Sequence, residues 1–120
     1  MTENRTAANL ADTAAEAIRS LIHATQHAGD GMTYPGDAYS TIANLSTLAQ
    51  RLPQALEQIQ GFMDGLQSGG HLRSDKGAAD LGPRLEDLRA CLAAAGQTAY
   101  ALADQLDMAH MALGPIAYQP

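Results

Sequence analysis

Tryptophan and valine are absent from this 120-residue chain, and phenylalanine and lysine each occur once, at Phe62 and Lys76. The β-branched and aromatic residues that favour strands are therefore scarce. Alanine, leucine and glutamine, all strong helix formers, are plentiful, with alanine alone at 24 positions. An all-α fold follows. Cys91 stands alone, which excludes an internal disulfide. Basic residues are also few: seven against thirteen acidic ones leave a net charge of −6. Nucleic acid binding needs a Lys/Arg footprint that these do not supply, and docking on an anionic membrane surface is disfavoured equally. No apolar run approaches the roughly 20 residues of a membrane span. The opening MTENRTAANLADTAAEA is polar where a signal peptide needs an apolar stretch. The cytoplasm is the expected compartment. Phosphate-binding glycine loops, G-x-S-x-G and CxxC are all missing, so neither an enzyme nor a cofactor is expected.

What is present is helical periodicity. Ala38, Ile42, Leu45, Ala49, Leu52, Leu56, Ile59, Met63 and Leu66 follow one another at alternating spacings of four and three, an unbroken heptad seam. Leu48, Ala55 and Phe62 form a second column beside it, which suits a helix with more than one neighbour. Leu81, Leu85, Leu88, Leu92, Ala95, Ala99, Leu102, Leu106, Ala109 and Leu113 repeat the pattern, and Leu10, Ala14, Ala17, Leu21, Ala24 and Ala28 give a weaker version. No polar residue falls on the central seam, so the core reads as purely structural.

Three helices are thus expected, over about 6–28, 38–67 and 81–113, in one domain covering 1–120. GDGMTYPGD (29–37) breaks the chain between the first two, with Asp37 as the cap of the second. Pro53 removes a hydrogen bond inside the central helix and predicts a kink there, the alternative being two helices meeting at Leu52–Pro53. The Gly-rich segment 68–79 reads as a flexible loop, Pro83 as a first-turn proline, and Gly114–Pro115 as the final stop before a tail over 114–120. The architecture expected is an antiparallel three-helix bundle. The short first helix leaves part of the central seam uncovered, so two bundles are expected to pair as a homodimer.

Candidate chemistry is thin. His23 and His27 lie four apart and Asp30 follows, a spacing that places imidazoles on one helix face where they could meet a metal ion. The bland reading, two exposed histidines near a helix C-terminus, is the stronger one, and no metal is expected. Asp107-x-x-His110 has the spacing used in carboxylate-bridged dimetal bundles, yet no acidic residue sits on the facing seams. Cys91 reads as a small hydrophobe in an Ala/Leu helix. Leu48, Ala55 and Phe62 are the candidate dimer contacts. Met32, Tyr34 and Tyr39 would make either an anchor for the first connection or an aromatic protein-binding patch.

The stretch TYPGDAYSTIANLSTLAQRLPQALEQI (33–59) resembles segments of small, alanine-rich helical proteins of actinobacteria that have no established function. Tyr100-Ala-Leu-Ala-Asp104 is similar to the Y-x-x-x-D/E signal of the WXG100 family of type VII secretion substrates, which are helical hairpins. The chain departs from that family in having no Trp for the W-x-G turn and in placing Tyr100 inside the last helix. The function expected is that of a non-catalytic interaction or regulatory protein working through dimerisation and protein–protein contacts. A secreted hairpin and a bundle holding a small apolar ligand or a metal are the alternatives.

Overall fold

The computed structural model describes residues 5–27 and 29–120. Three helices account for most of them: α1 (Ala7–Ala24), α2 (Pro35–Ser68) and α3 (Ala78–Leu113). No strand occurs among the described residues. The fold is all-α. The chain divides into two compact units, one holding α1, the turn after it and the segment 115–120, the other spanning Tyr39–Gly114.

In the first unit, Thr6 caps α1 by accepting a hydrogen bond from the Asn9 N–H at 3.2 Å. The helix stops at Ala24, four residues before the expected end. Ala28 lies outside the described residues. The early stop has two local causes. Thr25 turns its hydroxyl back to the Leu21 carbonyl at 2.8 Å, a bond that competes with continuing the helix. Gly31 then returns the chain against the end of α1 with φ +70°, where a Cβ would stand 2.6 Å from the Ala24 carbonyl oxygen. Only glycine fits there. None of α1's residues is buried, and Ile22 is 62% exposed. At the other end of the chain, Tyr118 meets Tyr34 edge to face with ring centroids 5.2 Å apart, the geometry aromatic quadrupoles prefer.

Helix α2 begins three residues earlier than expected, and Asp37 is not its N-cap. Pro35 takes the first helical position, where its missing N–H costs nothing. Asp37, two residues on, reaches back to accept from the N–H groups of Thr33 (2.8 Å) and Tyr34 (2.9 Å). That is the backward half of a capping box.

In the second unit α2 and α3 run antiparallel. Tyr39 meets His110, Ser46 meets Asp107, Pro53 faces Gly96 and Asp64 meets Arg89, so one partner's number falls as the other's rises. Helix α2 passes through Pro53 without interruption, which removes the two-helix alternative. The turn after it is a Schellman motif: Gly70 has φ +72°, its N–H bonds the Gln67 carbonyl, and the His71 N–H bonds the Leu66 carbonyl at 2.9 Å. Helix α3 starts at Ala78 and not near Leu81, so Pro83 sits in its second turn. Gly77 at the N-cap makes no side-chain cap bond, and Asp80 in the first turn links the preceding segment to the helix, its carboxylate accepting from Ser74 Oγ at 2.5 Å and from Arg84 Nε at 2.7 Å. Gly114 closes α3 in a right-handed conformation (φ −49°, ψ −48°). The stop therefore comes from Pro115, which cannot extend a helix, and not from a left-handed glycine.

The buried positions show how the two helices face each other. They are Ser46, Ala49 and Pro53 on α2 and Ala99 and Ala103 on α3. Half-buried Leu56, Gln60 and Met63 continue the α2 stripe, and Leu88, Leu92, Gly96, Leu106 and His110 the α3 stripe. The expected seams put Leu52, Ile59 and Leu102 inward instead. Those three are 40%, 47% and 43% exposed. At 100° per residue the contact line on α2 is turned by roughly 50° from the heptad seam. Small residues line it because they let the backbones approach closely.

Candidate functional site

A polar row runs along one flank of the α2–α3 contact. Ser46, only 2% exposed, donates its hydroxyl proton to Asp107 Oδ1 at 2.5 Å and accepts from Gln50 Nε2 at 3.2 Å. A buried hydroxyl with both capacities used is stabilising, where an unpaired one would cost about 1–3 kcal/mol. About five turns further on, Asp64 Oδ1 accepts from Arg89 and, at 2.9 Å, from Gln60 Nε2. At the open end of the hairpin the His110 ring stacks on Tyr39 at 3.7 Å between centroids. Asp107 and His110 thus face separate partners on α2 and hold no common group.

The carboxylates of Asp37 and Asp80 are the two that stand out electrostatically. The Tyr34 N–H, and then that of Thr33, hold Asp37 below its usual pKa. Asp80 is held down first by the Arg84 guanidinium and then by the Ser74 hydroxyl. Both stabilise the ionised form by hydrogen bonding to it. Each serves a helix start, and neither sits in a cleft.

The opposite flank of the hairpin is apolar. Because Tyr39, Ser46 and Asp64 occupy one flank of α2 and His110, Asp107 and Arg89 the matching flank of α3, helical geometry sends Leu52, Ile59 and Leu102 to the other side together. There Leu48, Leu52, Ile59 and Phe62 are 36%, 40%, 47% and 65% exposed, and Ala55 between them is exposed too. The steps are four, three, four and three. Along α3 the same flank carries Cys91, Ala95, Thr98, Leu102, Gln105 and Ala109, with no charge among them. Scattered exposed leucines need no explanation, but a contiguous stripe that repeats at heptad spacing does.

The residues singled out by sequence divide accordingly. Leu48, Ala55 and Phe62 share this stripe. Tyr34 pairs with Tyr118 in the first unit, Met32 is half-buried there, and Tyr39 stacks on His110 in the second. His23 is in the last turn of α1 while His27 lies beyond the helix end, so their four-residue spacing no longer gives a shared helical face. No group of three or more His, Cys, Asp or Glu side chains comes together among the described residues, His23, His27 and Asp30 included. Cys91 is exposed and free. Tyr100 is inside α3, as its sequence context implied. No helix is long and apolar enough to cross a membrane among the described residues.

Sequence reasoning missed Ser46 and Gln60. Both sit one residue from the assigned seam, at positions that a reading by apolar character passes over. Polar residues recurring at 46, 50, 57, 60 and 64 were the available signal, a period-3.5 stripe beside the apolar one. Comparison with protein-family models, curated proteins and solved structures yields no match.

Proposed function

We propose that this protein is a non-catalytic helical interaction module that works by pairing with a second copy of itself through the Leu48–Phe62 flank of its hairpin. The observation that carries this reading is the uninterrupted exposed stripe Leu48, Leu52, Ala55, Ile59 and Phe62, which itself holds no charged residue and has Arg51 at its edge. In a chain of net charge −6, two copies repel each other over most of their surface. A stripe without acidic residues is where that repulsion is least.

The area is adequate. From Leu45 to Leu66 the flank is about 30 Å long, and two helices side by side are about 20 Å wide. Each copy then offers about 600 Å², and a pair buries about 1,200 Å², the lower end of the stable range. Two hairpins joined this way form a four-helix arrangement with a leucine-rich seam, the large residues meeting between copies while the small ones meet within each. The pair would then present its polar rows outward, for contacts with other proteins.

Sedimentation equilibrium across about 1–100 μM tests the reading. Wild-type protein is expected to approach twice the 12.6 kDa chain mass as concentration rises. Phe62→Glu, which places a like charge on both copies at the seam, is expected to weaken pairing more than tenfold. A wild-type chain that stays at single mass throughout removes the proposal.

A further inference from the structure

Along the antiparallel helices Tyr39 lies level with His110, Ser46 with Ala103 and Pro53 with Gly96. Ala55 therefore stands within one residue of the level of Ala95, about 1.5 Å of rise. Both alanines are exposed on the apolar flank. About that level the flank is nearly symmetric on each helix. On α2, Leu48 and Phe62 are each seven residues from Ala55, and Leu52 and Ile59 are three and four. On α3, Cys91 and Thr98 are four and three from Ala95, and Gln105 at ten answers Arg84 and Asp87 at eleven and eight. Arg84 and Asp87 precede Leu102 and Gln105 by eighteen residues, five full turns, so they continue the same flank.

Two hairpins pressed flank to flank with twofold symmetry have two arrangements. An axis along the helices lays each α2 on the partner's α3 at the same level. Gln105 would then press on the partner's Leu45 and Leu48, and the Asp87 carboxylate on its Phe62. Burying an amide and a carboxylate against apolar side chains is unfavourable. An axis across the helices at the alanine level instead lays α2 on α2 and α3 on α3, each pair antiparallel. Leu48 then meets the partner's Phe62, and Leu52 its Ile59. Gln105 falls between the partner's Arg84 and Asp87, a donor and an acceptor that suit the two ends of an amide. The small Ala55 and Ala95 sit at the crossings, where backbones come closest.

We infer, resting on the pairing proposed above, that the two copies meet in this second way, about a twofold axis passing beside Ala55 and Ala95. Apolar groups then face apolar ones along α2, and polar groups face polar ones at the ends of the α3 contact.

Mixed-chain NMR with a nitroxide label tests the register. In a Cys91→Ser background, Arg51→Cys or Gln105→Cys carries the label on chains without isotope, mixed equally with isotope-labelled wild-type chains, so any broadening is between copies. The label at position 51 is expected to cause the greatest signal loss at Gln58 and Ile59, and the label at 105 at Leu85 to Asp87. Greatest loss at Thr98 and Ala101 from the first label, and at Asn44 and Leu45 from the second, would establish the other axis and overturn the inference while leaving the pairing intact. Loss without a preferred residue would also overturn it. So would labelled chains that stay single where unlabelled protein pairs, because this register leaves both label sites at the rim. A wild-type chain that stays at single mass in sedimentation removes the pairing itself, and the register with it.

Discussion

Single side chains decide how this chain starts, stops and packs, and Ser46 shows it best. Its hydroxyl is buried in the helix contact itself, and it satisfies Asp107 and Gln50 at once. Ser46→Ala removes that junction while leaving Asp107 able to turn to water, so a loss of about 1 kcal/mol is expected, read from the urea midpoint. A loss above about 3 kcal/mol would mean that the pair is far more isolated from solvent than its surroundings indicate. Asp37 and Asp80 supply a pH dependence of known sign. Hydrogen bonds lower both below their unfolded values, so the stability they add is present above about pH 4, the ordinary Asp value, and is lost as pH falls through the folded values. Asp80→Asn is expected to flatten the melting-temperature profile between about pH 4 and 2 while lowering the melting point at pH 7. An unchanged slope in that acid interval would contradict the stabilising role of the bonds from Arg84 and Ser74.

At the level of elements, the three helices were legible in the sequence and their contact face only in part. Periodicity and breakers located α1, α2 and α3, and the end of α3 at Leu113. The start of α2 slipped by three residues because Asp37 acts from the third helical position backward, a role that a capping residue read from sequence does not distinguish. The facing sides were read about 50° off, for a different reason. Hydropathy points Leu52, Ile59 and Leu102 at the neighbour, yet close approach is governed by size, and Ser46, Ala49, Gly96, Ala99 and Ala103 permit a closer contact than leucines do. The expected seams were right in part: Ala49, Leu56, Met63, Leu92, Ala99 and Leu106 face the neighbouring helix, while Leu52, Ile59 and Leu102 turn outward. Pro53 is the point of strain in this element. It lacks the N–H that would bond the Ala49 carbonyl, a defect of about 3 kcal/mol in a helix interior, and it is buried against Gly96. Pro53→Ala recovers the bond and loses about two buried methylenes, about 1.6 kcal/mol. A net gain of about 1 kcal/mol in unfolding free energy is expected. Destabilisation instead would show that the ring's packing outweighs the missing bond.

For the whole molecule, the division of labour between the two flanks is the organising fact. Polar and ionic groups stitch one flank of the hairpin and border the groove between α2 and α3, and the other flank carries an exposed apolar stripe. The candidate interface residues Leu48, Ala55 and Phe62 were visible in the sequence as a column beside the seam. What could not be read there was that the seam's own Leu52 and Ile59 join them, because that depends on the rotation of α2 about its axis. The ion pair of Asp64 with Arg89, more than 40% exposed on both sides, adds at most about 1 kcal/mol, so it orients the helices without accounting for their association. The central claim is that the exposed stripe is the surface through which copies meet. Methyl NMR on dilution tests it residue by residue. From about 500 to 10 μM, the resonances of Leu48, Leu52, Ile59 and Leu102 are predicted to shift together along one binding curve, while those of Leu85 and Leu92 on the groove flank stay fixed. Shifts confined to the groove flank, or no change in any methyl over that range, would contradict the account.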